Sequence, residues 1–239
     1  MKKIYDKNET NFALIWIGLY VVLLSVGDNI SASLGIAKSV TTPICIVLTA
    51  YLYLWISKYD LKEKYGLCAF KGSPKQYLYF IPLLLLASTN VWYGLKLNLS
   101  VTESVLYVIS MLCVGFLEEV IFRGLLFKAL CATNVKSAII ISSVTFGMGH
   151  IVNLLNGSAI FETCLQICYA IAIGFLFTII FYKGKGLWPC IIAHGVINSL
   201  SCFSNTNARN MTGDIVGAVF ICIVSIAYTL YILHVTKEK

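Results

Sequence analysis

Eight apolar runs, each long enough to cross a bilayer, recur along this chain at about 11–27, 39–57, 77–95, 104–128, 137–153, 163–182, 187–203 and 215–235. A spanning helix needs about 17–25 predominantly apolar residues. Within hydrocarbon, every backbone N–H and C=O has to find its partner inside the segment, which a helix does by itself. Composition agrees: 59% of the 239 residues are hydrophobic and 12% are charged, against about 45–50% and about 25% in soluble domains. The expected architecture is all-α, a polytopic membrane bundle of about eight transmembrane helices, with residues 1–239 forming one integral membrane domain. Lys2 and Lys3 precede an apolar run, but no small-residue cleavage site follows it, so the run reads as the first span and not as a signal peptide.

Loop charges test the count. With the N-terminus inside, all but four of the 18 Lys and Arg residues fall on the cytoplasmic side, Lys237 and Lys239 among them. Lys38, Lys96 and Arg209 fall outside, and Arg123 lies within a span. Cytoplasmic loops carry such an excess of Lys and Arg. Adding or dropping one span would scramble the bias, so both termini are expected in the cytoplasm of an integral protein of the cell membrane. The net charge of +7 has the same explanation, and no nucleic-acid partner is expected. The basic loop at about Lys58–Gln76 suits contact with anionic lipid of the bilayer. The nine cysteines are odd in number, lack a C-x-x-C pair and lie mostly in apolar runs. They read as small buried hydrophobes, with no metal role for Cys164 and Cys168 despite their shared helix face.

Against this background Glu118 and Glu119 stand out, adjacent in the fourth run. One carboxylate at a helix centre costs roughly 2.5–3.5 kcal/mol on insertion scales, and intramembrane charge marks function by default. Glu119 and Arg123 are four apart and can meet on one helix face. That leaves Glu118 facing the bundle interior. His150 and His194 lie in the fifth and seventh runs, each with a companion four residues away, Phe146 and Asn198. Measured from the nearest cytoplasmic lysine at 1.5 Å per residue, Glu118, His194 and His150 sit at depths of roughly 15, 14 and 21 Å. All three can converge on one pocket.

An unpartnered carboxylate in low dielectric can take a proton near neutrality. A nearby His can hold and polarise a water, and a second His with an Asn can donate to an oxyanion. That set amounts to a peptide hydrolase without a covalent intermediate. Glu118, His150 and His194 also match a His2Glu metal set, of the kind that holds zinc with an open position for water. The residues alone do not separate the two. No G-x-S-x-G, P-loop, H-E-x-x-H or dinucleotide motif is present.

Glu118-Glu119-x-x-x-Arg123, Phe146-x-x-x-His150 and His194-x-x-x-Asn198, in this order on three spans and accompanied by Phe122-Arg123-Gly124 and Trp188-Pro189, resemble the motifs of the CPBP (CAAX protease and bacteriocin-processing, Abi) family of intramembrane proteases. The resemblance covers a core of about residues 103–203. It implies an eight-helix bundle with an intramembrane site open to the cytoplasmic side. Glu118 would activate water with His150, His194 and Asn198 would stabilise the oxyanion, and Glu119 and Arg123 would support the site electrostatically. The family has been described both as metalloproteases and as glutamate-dependent enzymes. Here the glutamate mechanism is favoured, since no fourth ligand is evident. Short loops and a Lys- and Asn-rich character look bacterial. The implied substrate is therefore a peptide or membrane-protein tail, in bacteriocin processing or self-immunity, and not a prenylated protein. The rival readings are a non-catalytic immunity or binding membrane protein, and a proton-coupled transporter. The transporter reading lacks the internal repeat that such folds carry.

Overall fold

The computed structural model describes residues 1–236. Lys237 and Lys239 lie outside the described residues. Helix dominates, with no strand among the described residues; the two stretches that touch edge to edge, at Leu95 and Ser204, form a single isolated bridge. In order the elements are α1 (Lys2–Lys7), α2 (Glu9–Ser33), α3 (Thr41–Lys58), α4 (Ile81–Ser88), α5 (Val101–Glu118), a π-helical segment (Glu119–Phe127), α6 (Lys128–Cys131), α7 (Val135–Gly149), α8 (Ile160–Gly184), α9 (Trp188–Leu200) and α10 (Met211–Val235). Single 3-10 turns extend α4 at both ends, α7 through His150–Leu154 and α9 through Ser201–Phe203.

Polar caps set where these helices begin. The Asn8, Asn134 and Asn210 side chains accept from the backbone N–H three residues on, and Ser100 with Glu103 forms a reciprocal capping box. Each cap satisfies an N–H that the first turn leaves unpaired, and is worth about 1 kcal/mol. Five helical stretches are long and apolar enough to cross a membrane: Glu9–Ser33, Val101–Cys131, Val135–Leu154, Ile160–Gly184 and Met211–Val235. The 18-residue α3 and the shorter apolar stretches Leu78–Val91 and Trp188–Phe203 complete a polytopic bundle of about eight transmembrane helices. The third stretch is shorter than its sequence suggests. Leu78, Tyr79 and Phe80 take left-handed φ angles of 48°, 51° and 61°, and Pro82 then opens α4. Helix therefore starts only at Ile81 in regular α form.

Two close crossings fix the centre of the bundle. At the α5–α9 crossing Gly115 faces Gly195, and a Cβ placed on Gly115 would lie 2.6 Å from the Gly195 nitrogen and 2.8 Å from its Cα. At the α7–α8 crossing, Gly174 lies against Ser143. Small residues at such points let backbones approach where lipid supplies no hydrophobic drive. Gly149, by contrast, has open space before it and brings no helix closer.

Hydrogen bonds tie the connections into two poles. At one, Lys64 bonds Glu9 and the Tyr5 hydroxyl, Lys71 N donates to Gly184 O, Leu187 N to Gly66 O, and Lys183 Nζ to Thr236 O. This pole gathers the N-terminus, the Lys58–Gln76 loop, the α8–α9 turn and the end of α10. At the other pole, Ala37 N donates to Glu103, Lys96 N to Phe203 O and Asn205 N to Gly94 O. Lys2, Lys3, Lys7, Lys58, Lys62, Lys64, Lys71, Lys75, Lys128, Lys136, Lys183 and Lys185 all belong to the first pole.

Candidate active site

The α5–α9 crossing builds the site. Glu118 follows Gly115 by one turn, and His194 immediately precedes Gly195, so the close approach of two backbones sets their side chains face to face. From Glu119 onward the helix widens to π winding for nine residues, all of them buried. Runs of π-helix are rare and recur at functional sites.

His194 sits between the two glutamates. Its Nδ1 is 2.8 Å from Glu119 Oε1 and its Nε2 is 3.5 Å from Glu118 Oε2. Arg123 Nη1 donates to the same Glu119 oxygen at 3.0 Å. Glu119 and Arg123 are both 0% exposed. The face of the guanidinium lies 3.9 Å from the centre of the Phe146 ring, a cation–π contact in a desolvated setting. Thus the expected Glu119–Arg123 pairing is present, and it carries a histidine with it. Removing one member of such a buried pair typically costs 3–5 kcal/mol, because the other charge is left unmatched.

Glu118 differs from its neighbour. Its side chain is 14% exposed, and its Oε1 accepts from the Tyr20 hydroxyl at 2.5 Å. Tyr20 comes from α2, outside the motif-bearing core, and is a site residue that the motifs do not reveal. Its one signal in the sequence is that it carries the only hydroxyl between Phe12 and Leu24. Phe177 is a second unforeseen neighbour, with its ring 6.2 Å from His194 and 5.8 Å from the Arg123 guanidinium.

His150 stands on the 3-10 turn that ends α7. Its Nδ1 is 3.3 Å from the Phe146 carbonyl, and its ring meets Phe146 edge-on at 5.4 Å and 81°. Phe146 also meets His194 edge-on at 5.8 Å, so a single ring holds both imidazoles and the guanidinium. Of the two histidines, it is His194 that touches the glutamates. Asn198 is half-buried one turn beyond His194, and its backbone carbonyl accepts from Ser201 Oγ at 2.6 Å.

Glu118, His150, His194, Asn198, Tyr20 and Phe146 all line one cavity of about 390 Å³, within the range of ligand pockets. From the buried Phe122, Phe146 and Phe177 it extends past His150 and Asn198 to the half-exposed Asp28, Lys38 and Asn153 and the exposed Asn156. Those residues belong to the pole opposite the lysines. The cytoplasmic opening implied by resemblance is thus not where the cavity leads if the lysine pole is cytoplasmic. Toward the lysine pole, Leu125, Leu126, Phe127, Ile180 and Phe181 are all buried.

Among the described residues no group of three or more His, Cys, Asp or Glu side chains is placed to hold an ion. His150 turns its Nδ1 to a backbone carbonyl, while both nitrogens of His194 face carboxylates. Glu118, His150 and His194, the expected alternative set, line one cavity without forming such a group.

No curated protein and no solved structure matches the chain. Residues 100–200, somewhat less than half of its length, match the model of a family described as type II CAAX prenyl endopeptidase Rce1-like. The matched stretch runs from the Ser100 cap of α5 to the end of α9 and contains Glu118, Glu119, Arg123, Phe146, His150, His194 and Asn198. Residues 100–200 are thus similar to an Rce1-like type II CAAX prenyl endopeptidase domain, within a chain that carries five helices long and apolar enough to cross a membrane.

Proposed function

We propose that this protein is an intramembrane endopeptidase that hydrolyses a peptide bond in a peptide or membrane-associated protein tail, with Glu118 as the proton acceptor. The observation that carries the reading is the division of labour between adjacent carboxylates. Glu119 is matched by Arg123 and His194 in full burial, while Glu118 faces the cavity with only a phenol and an imidazole edge beside it. A water in the cavity gives a proton to Glu118 as its oxygen attacks the carbonyl carbon. The tetrahedral oxyanion takes hydrogen bonds from the Asn198 amide and from an imidazole. Glu118 then returns the proton to the leaving nitrogen as the C–N bond breaks. His194 is oriented through its Nδ1 by Glu119, which leaves Nε2 toward Glu118 and the cavity. His150, which lines the same cavity, holds the water or the carbonyl. Supporting general-base removal effects are typically 10²–10⁴-fold.

A short secreted peptide such as a bacteriocin precursor suits a pocket of this size. The basic pole and the paired termini support an orientation with both ends in the cytoplasm. The test is cleavage of candidate peptides by purified protein. Glu118→Gln should abolish turnover while leaving the fold intact. Protection of cells by Glu118→Gln at the wild-type level, without cleavage, would instead establish an immunity protein. Proton-dependent uptake into liposomes that Glu118→Gln removes would establish a transporter.

A further inference from the structure

We infer that the substrate enters the catalytic cavity from the non-cytoplasmic side of the membrane, as an extended peptide segment recognised by uncharged groups. The inference rests on the endopeptidase reading above for what is bound, and on independent observations for where it enters.

The first observation is electrostatic. The lysine pole holds twelve lysines against Asp6, Glu9, Asp60 and Glu63 among the described residues. The opposite pole holds Lys38, Lys96 and Arg209 against Asp28, Glu103, Glu162 and Asp214. Short loops with such an excess of Lys are retained in the cytoplasm, and acidic residues count little in that choice. The near-neutral pole is therefore the outer one.

The second observation is the direction of the cavity. Its inner end is walled by fully buried residues, and the layer below them is packed and mostly apolar: Leu126, Phe127, Ile180, Phe181, Leu187 and Cys190 are each 2% exposed or less. In the other direction the walls become progressively exposed, through His150 and Asn198 to Asn153 and Asn156. A peptide from the cytoplasm would have to displace the aromatic layer and the buried Glu119–Arg123 pair, whereas one from the outer face meets an open mouth.

The third observation is the chemistry of that mouth. Its one charged pair, Asp28 with Lys38 at 2.8 Å, is internally neutral. The remaining polar lining includes the amides Asn90, Asn153, Asn156 and Gln166. Amides both donate and accept, as a peptide backbone requires, and a lining without net charge selects neither acidic nor basic side chains.

Sidedness can be measured without activity. Full-length protein fused at its C-terminus to green fluorescent protein, or to alkaline phosphatase, is expressed in a bacterial host. Fluorescence together with loss of phosphatase activity is expected, since the end of α10 lies at the lysine pole. A dark fluorescent-protein fusion with an active phosphatase fusion would overturn the inference. In a variant with the nine cysteines replaced, Asn156→Cys should react with a membrane-impermeant maleimide added to intact cells, and Ser73→Cys only after permeabilisation; the reverse pattern overturns the proposal. With a cleavable peptide that does not cross membranes, right-side-out vesicles should cleave it and inside-out vesicles should lose cleavage to background. Cleavage restricted to inside-out vesicles refutes outer entry while preserving the protease reading. Cleavage by right-side-out vesicles that persists in Glu118→Gln refutes the catalytic assignment while preserving outer entry.

Discussion

Replacing Gly115 by alanine probes the geometric core of this site without touching any polar group. The added Cβ would lie 2.6–3.0 Å from the Gly195 nitrogen, its Cα and the Ile191 carbonyl. Ordinary carbon contacts fall at about 3.5–4.0 Å. These three atoms are backbone, so no side chain can swing away, and α5 and α9 must separate by about 1 Å. Overpacking of this kind costs about 1–3 kcal/mol. The catalytic effect should be larger than the stability effect, because the crossing lies within one turn of Glu118 and next to His194. The 3.5 Å approach of Glu118 to His194 opens by a similar distance, and a misplacement of about 1 Å can cost about 10²-fold in rate. The assay is kcat for peptide cleavage in detergent or vesicles, alongside thermal unfolding of the same samples. Gly217→Ala is the control: Gly217 lies in α10 with nothing near its missing Cβ, so the change should leave kcat unaltered and add up to about 1 kcal/mol of helix stability. Gly115→Ala protein with wild-type kcat and an unshifted melting transition would show that the α5–α9 contact does not set the catalytic distance.

Arg123→Met should destabilise the protein by about 3–5 kcal/mol by stranding Glu119 in a buried setting, and a melting temperature equal to wild type would refute the buried pair. Activity should survive strong chelation of protein whose elemental analysis shows no stoichiometric metal; one equivalent of zinc, with activity lost on its removal, would sink the mechanism written here.

Much of this architecture was legible in the chain, for identifiable reasons. Runs of apolar residues declare membrane helices because lipid demands both length and internal hydrogen bonding, and all eight expected runs coincide with helical stretches. Glu119 and Arg123 could be paired from spacing alone, because four residues return a helix to the same face. The third helix is shorter than its apolar run, since hydropathy does not register the left-handed turn at Leu78–Phe80. Tyr20 escaped notice because its partner is 98 residues away and no local pattern encodes such a contact. His194, rather than His150, touches Glu118 for a similar reason: equal depth in the membrane does not specify lateral neighbours. The direction of the cavity was equally hidden. Depth counted from the lysines locates a group in the membrane but does not say on which side the packing is open.

The packed, mostly apolar layer beneath the site also has an electrical consequence. A membrane potential falls mainly across material of low polarisability, and moving one charge through all of it is worth about 2.3 kcal/mol per 100 mV. With water filling the cavity on one side of Glu118 and Leu126, Phe127, Ile180 and Phe181 packed on the other, most of the voltage drop would lie below the carboxylate. Protons exchanged with the cavity would cross little of the field. Such a site can open halfway into the bilayer while the protein still insulates, and peptide cleavage in vesicles should respond only weakly to an imposed diffusion potential.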